Sequence, residues 1–165
     1  MITRIAKLLL LAGVGLYYAL VVFNNLTDFD SNYQFVRHVL SMDSTFPGNH
    51  GMWRAVPSPA FHQAFYLGII AWEVVTTALL WWGVVAMMRA LRGPAIAFNL
   101  AKRVAIAGLS LSMTMWLVAF LSVGAEWFLM WQSHTWNGQD AAFRMFAVVG
   151  LVLVIVLQPD IDSQP

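Results

Sequence analysis

The 165-residue chain has no cysteine. That single absence excludes disulfides, thiolate metal centres, cysteine nucleophiles and thiol redox chemistry. Charge is scarce too: Asp, Glu, Lys and Arg make up 10% of the residues, while 60% are hydrophobic. Soluble domains carry about 25% charged residues, so this composition places the chain in a lipid bilayer. The net charge is +1 and no basic cluster is dense, so nucleic acid is not an expected partner. There is no inverted internal repeat of the kind that marks many transporters. Ser41, His38 and Asp43 lie close together in sequence but come with no nucleophile elbow or oxyanion motif, and no catalytic residue is assigned.

What the chain does have is four apolar runs of membrane-spanning length, about 5–23, 65–88, 104–123 and 141–157. Each suits a hydrocarbon core of about 30 Å. The expected fold is all-α: a four-helix transmembrane bundle forming a single domain over 1–165, with one long outer loop at 24–60. The first run follows Arg4 and Lys7 but lacks a small-residue cleavage site before Asn24, so it reads as a retained helix. With alternating helices, Arg4, Lys7, Arg89, Arg92, Lys102 and Arg103 fall on one side, and Arg37, Arg54 and Arg144 on or near the other. The positive-inside rule then puts both termini in the cytoplasm. Trp127, Trp131 and Trp136 suit an interfacial belt on the opposite side. Arg144 is expected to snorkel or to pair with Glu126. The tail QPDIDSQP is polar and expected to fray.

Glu73 lies in the middle of the second run. An acidic residue at the centre of a membrane helix costs about 2.5–3.5 kcal/mol on insertion scales, so such a side chain turns inward, stays neutral or finds a partner. His62 is eleven positions earlier, which at about 100° per residue returns it to nearly the same face, about 16 Å away along the axis. Tyr66, Glu73, Thr76 and Thr77 continue a semi-polar seam that a neighbouring helix must cover. Thr76, Thr77 or polar groups of the third helix are the expected partners of Glu73, and Ser110 and Thr114 form a weaker stripe on that third helix. The seam serves either as interhelical glue or as a binding or proton-linked site.

The outer loop is more than a linker. Ser31 or Asp30 can cap a short amphipathic helix over about 31–42, whose Phe35, Val36, Val39 and Leu40 form one apolar stripe while Arg37, His38 and Ser41 point elsewhere. Asn25-Leu26-Thr27 matches a glycosylation acceptor, a common triplet. Asp28, Asp30, Arg37, His38, Asp43, Trp53 and Arg54 are the candidate partner-docking residues of this loop. His38, His50, His62 and His134 all fall on or beside the outer side and are weak candidate metal ligands, since no pair has tight ligand spacing. No cofactor is predicted, and metal or haem binding stays open. Met113 and Met115 read as core packing.

The segment NNLTDFDSNYQFVRHVLSMD, then WRAV, His62 and AWEVV around Glu73, resembles a bacterial family of predicted small integral membrane proteins to which no activity is assigned. The resemblance spans nearly the whole chain and implies a four-helix inner-membrane protein, with the outer segment and Glu73 as its characteristic parts. Three functions follow as expectations. The first is a noncatalytic accessory subunit of a membrane complex, with lipid and a membrane-protein partner around it. The second is a proton-linked transporter or small-molecule binder centred on Glu73, which a water-accessible cavity reaching that residue would favour. The third is a redox or metal protein using the outer histidines.

Overall fold

The computed structural model describes residues 1–162 and, among them, only helices, turns and loops. Four helices are long and apolar enough to cross a membrane. They are α1 (Ile2–Thr27), α3 (Pro59–Arg89), the continuous rod of α4 (Ala95–Thr114) with its π-helical extension (Met115–Trp127), and α5 (Gln139–Leu157). Between α1 and α3 lies the short α2 (Phe29–Ser41). Single 3-10 turns at Met52–Arg54 and Met130–Gln132 shape the two loops on the same end as α2. The helices outrun the apolar stretches because flanking polar residues can continue a helix beyond the hydrocarbon.

Local chemistry sets the boundaries. Pro59 stands in the first turn of α3, where its missing N–H costs nothing, and the Ser58 hydroxyl accepts from the Phe61 amide. Pro94, in an extended conformation, precedes α4. The expected short helix is present but begins earlier, at Phe29, with Asp28 rather than Ser31 or Asp30 at its N-cap position. Ser31 Oγ instead donates to the Asp28 carboxylate at 2.7 Å. The helix stops where Met42 turns left-handed, φ 53°. Val36, Val39 and Leu40 are buried and Arg37 is exposed, so the apolar stripe faces the molecule.

α3 is the central helix, packed on both α1 and α4, while α5 closes against α4 and α1. Gly83 makes one of these contacts possible. A Cβ there would sit 2.7 Å from Ala105 Cα, so α3 and α4 touch backbone to backbone, the close approach that small residues permit in membranes. The interior has two apolar clusters. Leu11, Tyr18, Leu80, Met87, Phe98, Leu109 and Val152 fill the end near the termini. Val39, Leu40, Met42, Tyr66, Ile70, Phe128 and Met130 fill the end under α2. On α3, Glu73 and Thr76 fall between the two. Leu16, Leu20, Leu67, Trp82 and Leu151 point outward, the inversion expected of a lipid-facing surface.

Candidate functional site

Glu73 lies close to the midpoint of α3 and is 5% exposed. Its partner is neither Thr76, Thr77 nor a group on α4, as the spacing had suggested, but Asn25 near the end of α1, whose Nδ2 donates to Glu73 Oε2 at 2.6 Å. Thr77 Oγ1 donates to the Glu73 main-chain carbonyl, 2.7 Å, a bond within the helix. Thr76 Oγ1 is enclosed and has no partner. Asn25 in turn is held by two donors at its Oδ1: Asn32 Nδ2 from α2 at 2.6 Å and the Tyr66 hydroxyl at 3.1 Å. Both lone pairs of that oxygen are then occupied and the amide N–H points at Glu73. Asn25 is 3% exposed, which removes it as a glycosylation acceptor.

The second carboxyl oxygen, Oε1, has no hydrogen-bond partner among the described residues, yet it is not an enclosed atom. It stands at the wall of a cavity of about 290 Å³ between α1, α3, the π segment and the start of α5, under α2. Tyr17, Tyr66, Phe35, Trp116 and Phe120 supply aromatic walls, and Asn25 and Asn32 supply amides. Glu73 is the one carboxyl in that lining, and no Lys, Arg or His joins it. The Trp116 indole N–H has no hydrogen-bond partner, while the neighbouring Tyr18 hydroxyl pairs with Ser112 at 2.6 Å. Phe35 packs directly on Gly138, where a Cβ would meet its Cζ at 2.9 Å. The π segment brings Trp116 and Phe120 to the cavity. Widened helical turns of this kind occur often at functional sites.

The remaining seam and loop residues do other work. His62 is buried, with Nε2 donating to the Val56 carbonyl at 2.7 Å and Nδ1 left without a partner. His38 Nδ1 bonds the Asp43 carboxylate at 2.8 Å, and its ring stacks on Trp136 with centroids 4.5 Å apart. No hydrogen bond joins Ser41 to it among the described residues. Asp30 accepts from Gln34, and Arg37 donates to Gln34. The Arg54 guanidinium lies over Trp53 and Trp127 and donates to the Trp127 carbonyl. Asp28, Asp43, Trp53, His50 and His134 are exposed. Among the described residues no three His, Asp or Glu side chains are close enough to hold a metal ion. Arg144 and Glu126 are both exposed and unpaired with each other. On α4 the interhelical polar group is Ser112, while Ser110 and Thr114 are exposed.

A second polar assembly, at the end near the termini, corrects the expectation of a frayed tail. The carboxylate of Asp160, 8% exposed, is held by Lys7 Nζ at 2.8 Å and by Lys102 Nζ. Lys7 and Lys102 both also donate to the Gln158 carbonyl, at 2.6 and 2.8 Å. Asn99 grips the Asp160 main chain through both amide atoms. Arg4 donates to the Leu91 and Gly93 carbonyls and to Asp162, whose carboxylate also accepts from the Ala95 amide at the start of α4. Burial alone would raise the Asp160 carboxyl, but hydrogen bonds and charge from Lys102 and Lys7 outweigh it and hold the group below its ordinary value. Residues 158–162 therefore clip the ends of α1, α4 and α5 together. Residues 163–165 of the expected frayed tail lie outside the described residues.

A family model described as predicted small integral membrane protein (DUF2165) matches residues 3–159, and the chain belongs to that family. No curated protein and no solved structure matches it.

Proposed function

We propose that this integral membrane protein is a noncatalytic binder of a small, partly apolar molecule, with Glu73 as the group that orients the ligand. One observation carries the reading: Glu73, whose Oε1 has no protein hydrogen bond, lines a 290 Å³ cavity that holds no basic side chain to pair with it. A volume of this size is at the lower end of ligand pockets, which combine apolar walls with a few placed polar groups. An ionisable group inside the membrane is costly, and such groups commonly mark ligand or ion paths. The expectation that a cavity reaching Glu73 would favour binding over a purely structural seam is the reason for preferring this to the accessory-subunit reading. That alternative draws on Trp53, 71% exposed, but an interfacial tryptophan needs only lipid headgroups beside it.

The lack of cysteine makes the test clean. Val21→Cys and Ile69→Cys place single thiols on the cavity lining, and a small water-soluble thiol reagent should modify both in the full-length protein in bilayer discs. If both resist while a control thiol at exposed Pro47 reacts, the cavity is closed to water and the binding reading falls.

The same reading includes an orientation. Arg89, Arg92 and Arg103, exposed near the termini, support a cytoplasmic placement of both termini in a bacterial inner membrane, with α2 on the outer side. A thiol at Asn49 should then react with an impermeant reagent only from outside. Reaction only from the cytoplasmic side would reverse the assignment.

A further inference from the structure

We infer that the occupant of the Glu73 cavity is a small organic cation, an amine carrying a few carbons, seated with its nitrogen on Glu73 Oε1 and its substituents against the aromatic walls; this rests on the binding reading above. The cavity holds one carboxyl and no basic side chain to neutralise it. The Asn25 amide cannot do so, because it offers a single dipole and that dipole already engages Oε2. An ionised carboxylate in such surroundings needs a counter-charge, and the protein leaves the one oxygen facing the cavity open to it.

The walls select the kind of cation. Tyr17, Tyr66, Trp116 and Phe120 line the same space, and aromatic rings attract ammonium groups, most strongly where both are desolvated. A bare metal ion would need several oxygen ligands, and apart from Glu73 the lining offers only amide and phenol oxygens. The Asn25 carbonyl among them is already taken by Asn32 and Tyr66. A neutral apolar guest would use the rings but leave Oε1 unpaired. An ammonium uses both.

The test uses esterification of Glu73 by a small diazo amide, to which amines and alcohols do not couple, followed by mass spectrometry on the full-length protein in bilayer discs, with n-butylammonium, 1-butanol and sodium as competing probes. Saturating butylammonium should slow modification at least tenfold, while the neutral alcohol of the same length and sodium leave it unchanged. Calorimetric titration with butylammonium should show binding to the native chain and none to Glu73→Gln, with thermal unfolding confirming that the variant is folded. Trp116→Leu, which keeps the carboxyl, should weaken butylammonium at least threefold. Protection by butanol equal to that by butylammonium overturns the cationic assignment and leaves the binding cavity standing. Protection by sodium alone overturns the organic assignment. No protection by any probe overturns the inference, and together with inert thiols at positions 21 and 69 it overturns the cavity reading as well.

Discussion

The middle of the bundle and its end near the termini both bury ionisable groups, and they treat them in opposite ways. Near the termini, the Asp160 carboxylate meets two ammonium groups at Oδ2, and the Arg4 guanidinium lies 3.9 Å from Oδ1. Under α2, Glu73 meets one amide and keeps an oxygen free. Burying charge is costly in either place. Where the charges compensate one another within the chain, the product is a clip. Where the carboxyl has no cation beside it, the product is a site. Charge saturation, more than burial, separates a structural polar group from one that awaits a ligand.

The contrast predicts unequal responses to mutation. Asp160→Ala should have the largest effect, about 2–3 kcal/mol of destabilisation, between an exposed pair and a fully buried one because a groove runs alongside. Thermal unfolding in detergent would measure it, and adding Lys102→Met should recover part of the loss by removing a stranded cation. If Asp160→Ala unfolds at the native temperature, the clip is ornamental and the comparison fails.

Acid should act on the same group. The folded carboxyl of Asp160 is depressed, so its contribution is fully present above the unfolded value of about 3.9 and disappears as pH falls through the lower folded value. A melt at pH 3 should therefore lose stability relative to pH 6, and Asp160→Asn should flatten that dependence. An unchanged slope in the Asn variant would assign the acid sensitivity elsewhere.

Around Glu73 the effects should be smaller. Asn25→Ala leaves Glu73 Oε2, Tyr66 and Asn32 without their shared partner, for about 1–2 kcal/mol. Because Asn32 sits on α2, hydrogen exchange in that helix should rise before exchange in α4. Glu73→Gln should cost least, under about 1 kcal/mol, since an amide oxygen can still accept from Asn25. Stability nearly intact with ligand binding gone would sharpen the division between clip and site; a loss matching that of Asp160→Ala would erase it.

Much of this was legible in the residues. The spans followed from apolar length, the inward turn of Glu73 from the cost of a carboxyl in lipid, and α2 from its stripe of Val36, Val39 and Leu40. The partners were not. Asn25 lies just past the first apolar run and looked like loop, although α1 continues to Thr27. Lys7 and Lys102 read as topology markers because periodicity describes one helix at a time and carries no information about a carboxylate on a different segment. The phase of α4 was also misjudged. Polar Ser110 and Thr114 drew attention, whereas Ala105, Gly108 and Ser112, small residues at three- and four-residue steps, mark the face that is buried.

The clip also has a place in time. Lys7 and Asp160 are 153 positions apart, so at ordinary synthesis rates the lysine emerges about 8 to 30 s before its counter-ion exists. During that interval α1 holds cations that nothing in the nascent chain yet neutralises, and the surrounding water and lipid phosphates must solvate them. The bundle is thus assembled with its fastening fitted last, and a ribosome that stalls just after the final helix leaves four membrane segments with one end unlatched.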